Sequence, residues 1–191
     1  MTPLRTEELI KALRGATRWF ASLPLRSGIE NGNFMRSLPS PVGSVLFVCK
    51  GNICRSPLAA AYVAAQLGKL GRSMEVRSAG LETTAGKKAD PMAIAVARWN
   101  NLSLEGHITT PLTPELVDGG DVILVMESAQ RSELLRRYPG ANGKVIKLGT
   151  FNRMLSSEIP DPYGGKQADF ERCYESITRS CDGLIKHLVA K

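Results

Sequence analysis

Short apolar runs alternate with longer amphipathic stretches from residue 44 to the end of the chain. Four segments have the pattern of buried strands: Ser44–Cys49, Met74–Ala79, Asp121–Met126 and Lys144–Leu148. Four others have helical patterns: Pro57–Leu70, Pro91–Asn100, Ser128 to about Arg137, and Ala168–Val189. This alternation predicts a single α/β domain, with a four-stranded parallel sheet flanked by helices on both faces.

The first 43 residues follow a different pattern. Leu9, Leu13 and Phe20 recur at helical spacing with basic residues on the opposite side, which predicts an amphipathic helix over residues 5–20. A run rich in Ser, Gly, Asn and Pro follows and predicts a linker. We therefore divide the chain into an extension (1–43) and a domain (44–191). Three roles of this helix stay open: weak contact with a membrane, docking to a partner, and packing on the domain.

Length and composition narrow the class of protein. A chain of 191 residues with 43% hydrophobic and 23% charged residues suits one soluble domain. No apolar run reaches the roughly 18–20 residues of a membrane span. Lys11, Arg14 and Arg18 interrupt the apolar pattern that a secretory signal needs, so we expect a cytoplasmic protein.

The net charge of +7 suits an anionic partner, such as a phosphoprotein, a nucleic acid or an acidic membrane. The sequence has neither zinc-finger spacing nor basic stretches with interleaved aromatic residues, so nucleic-acid binding is not expected. His107 and His187 lack a metal-ligand motif, and we expect neither a metal nor a cofactor. His107 is expected to make a structural hydrogen bond. Cys173 and Cys181 fall in the last predicted helix and are expected to be buried apolar residues.

The candidate chemistry lies in the loop between the first strand and the first helix. Its residues are Cys49, Lys50, Gly51, Asn52, Ile53, Cys54, Arg55 and Ser56, followed by Pro57. A loop of this length can direct its backbone N–H groups at one centre, and the helix that follows directs its positive end there. The sequence therefore predicts a phosphate-binding loop over residues 50–56.

Four side chains of this loop have predicted roles. Cys49 lies at the floor of the loop, in surroundings that favour a thiolate, and is the expected nucleophile. The guanidinium of Arg55 can bind two phosphoryl oxygens at once. Ser56 is expected to donate a hydrogen bond to the Cys49 thiolate when it is the leaving group. Cys54 is close to Cys49 in sequence, and we expect the two to form a reversible disulfide under peroxide.

The run from Val48 to Pro57, VCKGNICRSP, resembles the signature of the low-molecular-weight protein tyrosine phosphatases. The resemblance extends over about residues 44–191 and continues in the segments SAGL (78–81), ADP (89–91), LSLEGH (102–107) and DPY (161–163). It is strongest to the bacterial branch encoded with capsule or exopolysaccharide export systems. That resemblance implies hydrolysis of phosphotyrosine, with an autophosphorylating bacterial tyrosine kinase as partner.

The same resemblance implies roles for residues outside the loop. Asp161 would be the general acid that protonates the phenolate, and Asn52 with Ser78 would support the loop. The aromatic residue that walls the pocket in the animal branch corresponds to Thr84 here. Tyr163, beside the general acid, is the ring expected to pack against the substrate.

Two alternatives remain from the sequence. A thioredoxin-coupled arsenate reductase shares this fold and loop, but its further cysteine pair precedes the acidic loop, whereas Cys173 and Cys181 follow Asp161. A phosphotyrosine-binding module with an inactive site would lack the cysteine, the arginine or the acid, and this chain has all three. Hydrolysis of an aryl phosphate would discriminate between a catalytic and a binding protein.

Overall fold

The computed structural model of the protein describes residues 41–152 and 157–189. The predicted helix over residues 5–20 lies outside these ranges. Within them the chain forms a parallel sheet in the order β2-β1-β3-β4. Its strands are β1 (Ser44–Cys49), β2 (Glu75–Gly80), β3 (Val122–Val125) and β4 (Val145–Lys147). The predicted four-stranded parallel sheet is confirmed.

The helices cover both faces of the sheet, as predicted. They are α1 (Arg55–Lys69), α2 (Pro91–Trp99), α3 (Pro114–Gly119), α4 (Ser128–Arg137) and α5 (Gln167–Val189). Side chains of α1, α2 and α5 form one hydrophobic cluster with alternate residues of β1 and β3. Side chains of α3 and α4 form a second cluster with the intervening residues of these strands. Because β1 and β3 are buried on both faces, both are continuous apolar runs in the sequence.

The predicted boundaries differ from the observed ones mostly by one or two residues. The prediction that the first helix begins at Pro57 was wrong, because α1 begins at Arg55. Proline is tolerated throughout the first turn of a helix, where N–H groups have no intrahelical acceptor, so it does not mark the first residue. Helix α3 was not predicted. Its six residues are too few to show a helical repeat, although Thr113 caps it and Pro114 begins it.

The strand order indicates which edge of the sheet is expected to bind a ligand. From β1 the chain crosses to β2 on one side of the sheet and later to β3 on the other side, so the order reverses at β1. In open α/β sheets the crevice at the carboxyl ends of the strands beside such a reversal is the usual ligand site. Cys49 ends β1 at this edge. No helix within the described ranges has both the length and the apolar character of a membrane span.

Candidate active site

The loop from Cys49 to Arg55 folds back on the end of β1. The backbone N–H of Asn52 donates to Cys49 Sγ at 3.3 Å, and Ser56 Oγ lies 3.0 Å from the same sulfur. Cys49 is 3% exposed, so water competes little for these contacts. Two hydrogen-bonding groups therefore converge on one sulfur, which is how proteins stabilise a thiolate.

Asn52 fixes the shape of the loop. Its backbone has a φ of 53°, the left-handed region that Asn adopts more readily than most residues. The buried side chain donates from Nδ2 to Ser56 Oγ and to Ser78 Oγ, both at 2.9 Å. Its Oδ1 accepts from the N–H of Thr110 at 2.9 Å. The amide therefore ties the loop to the start of α1, to β2 and to the segment after α2.

The Asn52 amide also orients the Ser56 hydroxyl. Because Ser56 Oγ accepts a hydrogen bond from Asn52, its own proton is left to donate elsewhere. The alternatives are Cys49 Sγ at 3.0 Å and the Ala79 carbonyl at 3.4 Å. The shorter contact, allowing for the larger radius of sulfur, favours donation to Cys49.

Arg55 is a fully buried arginine with its guanidinium held from one side. Its Nη1 donates to the Ile159 carbonyl at 3.0 Å and pairs with Glu127 Oε2 at 2.9 Å. Its Nη2 pairs with Asp161 Oδ2 at 2.5 Å. Nε is buried and has no hydrogen-bond partner among the described residues. A buried N–H without a partner is costly, so this edge of the guanidinium is suited to an anionic ligand.

The electrostatic balance at Arg55 favours its charged form. Burial by itself would lower the pKa of the guanidinium, but Cys49, Asp161 and Glu127 together raise it above its ordinary value. Burial, with smaller contributions from Asp90 and Cys49, raises the pKa of the Cys54 thiol well above its ordinary range. Cys54 is therefore a neutral thiol at physiological pH.

Asp161 reaches the loop from the segment between β4 and α5. Its neighbours Pro160 and Pro162 restrict the backbone on both sides. The carboxylate is 40% exposed, and its Oδ1 accepts from the Tyr163 N–H at 3.3 Å. Oδ2 contacts Arg55, so the acid lies beside the guanidinium. Cys49, Arg55 and Asp161, which were predicted to act together, belong to one site.

The part of the chain that contains the loop, Arg55 and Asp161 is similar in sequence to known proteins. A family model described as "Low molecular weight phosphotyrosine protein phosphatase" matches residues 44–191. The chain belongs to this family. It is 39% identical to the low molecular weight protein-tyrosine-phosphatase Wzb of Escherichia coli K12 over 137 residues, which cover 72% of this chain and 89% of Wzb.

Solved structures agree with this membership. The Erwinia amylovora tyrosine phosphatase amsI matches at a TM-score of 0.72 and 33% identity, covering 78% of this chain and 94% of that one. The YwlE arginine phosphatase of Geobacillus stearothermophilus matches at 0.71 and 30%, covering 77% and 93%. The alternative of a thioredoxin-coupled arsenate reductase is not favoured by these matches. This low molecular weight phosphatase thus shares its fold with enzymes named for two different phosphorylated residues.

The other predicted site residues lie around the loop of the phosphatase. The Lys50 side chain points to solvent and pairs with Glu82 at 3.5 Å. Thr84 is exposed, and its carbonyl accepts from Thr109 Oγ1 at 2.7 Å. Tyr163 is 66% exposed, and with Asp161 it lines a cavity of about 300 Å³ against α5. Gly51 and Ile53 belong to the loop, and Ile53 accepts from the Asp90 N–H at 2.9 Å.

His107 makes the structural hydrogen bond that was expected of it. Its Nε2 lies 2.8 Å from the Asn52 carbonyl, on the outer side of the loop. Gly80, at the end of β2, is required by close approach. A β-carbon there would come within 3.0 Å of the Lys50 carbonyl and 2.8 Å of Thr83 Cγ2. His107 therefore supports the loop from outside the site, and the absence of a side chain at Gly80 lets the Lys50 backbone approach β2.

Glu127 was missed by the sequence analysis. It lies two residues after the end of β3, and its carboxylate pairs with Arg55 and accepts from Gln130 Nε2 at 2.6 Å. The signal was available: a polar residue at the carboxyl end of a buried parallel strand lies at the ligand edge of the sheet. Among residues 41–152 and 157–189, no cluster of three or more His, Cys, Asp or Glu side chains is suited to hold a metal ion.

Proposed function

We propose that the protein hydrolyses phosphotyrosine in proteins through a phosphocysteine intermediate on Cys49. The observation that supports this most is the grouping of Cys49, Arg55 and Asp161 at one strand edge. The Cys49 thiolate attacks phosphorus, and an S–P bond forms as the P–O bond to the phenol breaks. Asp161 gives its proton to the departing phenolate oxygen. Water then attacks phosphorus, Asp161 takes the proton, and the thiolate leaves with inorganic phosphate as product.

The guanidinium geometry supports the role of Arg55. Glu127 and the Ile159 carbonyl hold Nη1, which leaves the edge formed by Nε and Nη2 for two phosphoryl oxygens. Asp161 shares Nη2, so a phosphate bound at this edge would lie next to the carboxylate. In the second step, hydrogen bonds from the Asn52 N–H and the Ser56 hydroxyl would stabilise the Cys49 thiolate as it leaves.

The substrate preference follows from the depth of the nucleophile and from Tyr163. Cys49 is buried at the floor of the loop, so a long phosphotyrosine side chain should reach it and phosphoserine should not. Tyr163 is the exposed ring beside Asp161, and an aromatic contact contributes about 0.5–1.5 kcal/mol. Thr84 would replace an aromatic wall with a small polar side chain, which favours weak selectivity for the surrounding peptide.

Peptide hydrolysis tests this preference. We expect phosphotyrosine peptides to be cleaved with a much higher kcat/KM than phosphoserine or phosphoarginine peptides of the same sequence. Tyr163→Ala should lower kcat/KM for phosphotyrosine about 2- to 10-fold, and Thr84→Trp should raise it. Equal use of phosphoserine, or no effect of Tyr163→Ala, would refute this description of the pocket. Preferential release from phosphoarginine would instead refute the tyrosine assignment.

The physiological partner is proposed on the resemblance alone. The bacterial branch that the chain resembles acts on autophosphorylating tyrosine kinases of exopolysaccharide production, and a cytoplasmic phosphatase with weak peptide selectivity suits a tyrosine-rich kinase tail. Phosphotyrosine mass spectrometry of a lysate, before and after addition of the enzyme, tests this. We expect an autophosphorylating tyrosine kinase among the first proteins to lose phosphate.

Cys54 is proposed to protect the nucleophile from irreversible oxidation. Peroxide would convert the Cys49 thiolate to a sulfenic acid, and Cys54 would then displace water to form a disulfide that thiols reduce. Cys54→Ser should keep aryl-phosphate hydrolysis but lose recovery by dithiothreitol after peroxide. Cys173→Ser, which removes another buried thiol, is the matched control and should recover. Full recovery of Cys54→Ser would show that Cys54 is not the protecting thiol.

A further inference from the structure

A second polar cluster lies at the start of the segment that carries Asp161, three residues before it in sequence. The Glu158 cluster consists of Ser128, Lys147 and Glu158. Glu158 Oε2 accepts from the Ser128 N–H at 2.8 Å, and Oε1 accepts from Ser128 Oγ and from Lys147 Nζ, each at 2.5 Å. Lys147 Nζ also donates to Ser128 Oγ at 2.9 Å and to Ser157 Oγ at 2.8 Å.

The Glu158 cluster joins three elements that are distant in sequence. Ser128 is the first residue of α4, so the Glu158 carboxylate binds a free N–H at the positive end of that helix. Lys147 ends β4 and is 19% exposed, which limits screening by water. Burial raises the pKa of Glu158, but Lys147 and Ser128 lower it by more, and its net shift is downward. The carboxylate is therefore ionised at neutral pH.

The backbone between Glu158 and Asp161 is restricted by its contacts and by a proline. Ile159 is 1% exposed, its N–H donates to the Met126 carbonyl at 2.9 Å, and its carbonyl accepts from Arg55. Pro160 follows with a fixed φ and restricts Ile159 as well. Glu158 and Ile159 therefore anchor the start of this segment together, and the proline leaves little backbone freedom between that anchor and Asp161.

The turn between β3 and α4 contacts both Arg55 and the segment that carries Asp161. Glu127 in this turn holds Arg55, and its neighbour Ser128 holds Glu158. The arginine and the acid are thus positioned from adjacent residues. At Gly149, a β-carbon would come within 2.5 Å of the Ser157 carbonyl, so the base of the segment also packs closely on the chain after β4.

We infer that Glu158, held by Ser128 and Lys147, is a positioning residue that sets the reach of the general acid. The inference rests on the proposed role of Asp161. Loss of the carboxylate would leave the phosphate-binding loop intact but move Asp161 relative to the leaving oxygen. A misplacement of about 1 Å can reduce a rate on the order of 10²-fold. The loss should be confined to substrates whose departure needs a proton.

Aryl phosphates of different leaving-group strength test this inference. For Glu158→Gln we expect kcat/KM for phenyl phosphate, a poor leaving group, to fall about 10- to 100-fold. For 2,4-dinitrophenyl phosphate, whose phenolate leaves without a proton, kcat/KM should change little, and vanadate should inhibit as in the wild type. Lys147→Met should give the same pattern. Glu175→Gln, which removes an exposed carboxylate paired with Arg179 on α5, is the matched control and should change neither rate.

The Asp161→Asn variant shows whether Glu158 acts through Asp161, and it tests the general acid independently. In the Asp161→Asn enzyme, adding Glu158→Gln should cause no further loss for phenyl phosphate, because the acid it positions is gone. An equal loss for both esters, or no loss for either, would overturn the inference while Asp161→Asn still showed its leaving-group dependence. If Asp161→Asn itself showed no such dependence, the general acid and the inference would fall together.

Discussion

Cys49→Ser is expected to bind phosphate and vanadate but to lose aryl-phosphate turnover by at least about 10³-fold. A serine hydroxyl is a far weaker nucleophile than a thiolate at neutral pH, and the loop offers it no general base. The hydrogen bonds of Asn52 to Ser56 and Ser78 do not involve the sulfur, so the loop should keep its shape. Steady-state kinetics and vanadate titration measure the two properties separately.

Cys173→Ser is the matched control for the nucleophile. It removes a thiol that is also buried but lies on α5, and burial raises the pKa of that thiol to about 12. Its turnover should remain close to that of the wild type. Turnover of Cys49→Ser within tenfold of the wild type would rule out Cys49 as the nucleophile.

Asp161→Asn should lower kcat by roughly 10²–10⁴, the usual contribution of a general acid. The amide is close in size to the carboxylate but cannot give a proton to the phenolate or accept one from water. The loss of kcat/KM, which reports the step in which the phenolate departs, should shrink along a series of better leaving groups, because their phenolates depart without protonation. The measurement is kcat/KM for a set of substituted phenyl phosphates, plotted against the pKa of each phenol.

An aspartate outside the site provides the control for this series. Asp118 is exposed on α3, and Asp118→Asn should leave kcat unchanged for every ester. A uniform loss across the series in Asp161→Asn would mean that Asp161 acts on phosphate binding through Arg55, with which it is paired, and not as a proton donor.

The chemistry of the loop was predictable because it depends on neighbours in sequence. Cys49 ends an apolar run, and Arg55 begins a helix six residues later, so the spacing and its place between a strand and a helix together indicate a phosphate-binding loop. The parallel sheet was predictable for the same reason, since burial on both faces leaves continuous apolar runs. Asp161 required the family resemblance, because an Asp-Pro pair by itself indicates no more than a turn.

The pairings that hold the site were not predictable, because they are formed by the fold. Glu127 meets Arg55, and Ser128 meets Glu158 across 30 residues of sequence. No local pattern marks a glutamate that will contact a helix start in another element. Such contacts depend on strand order and on the direction of each loop, which periodicity and spacing do not determine.

The most direct test of the central claim is to trap the phosphoenzyme. Asp161→Asn, mixed with 2,4-dinitrophenyl phosphate, whose phenolate leaves without a proton, and quenched in acid within one turnover, should carry a single phosphoryl group on the peptide that contains Cys49 and Cys54. Fragmentation in the mass spectrometer should place that group on Cys49, and prior peroxide treatment should abolish it. Release of phosphate without any phosphoenzyme, or a phosphoryl group on another residue, would contradict the account.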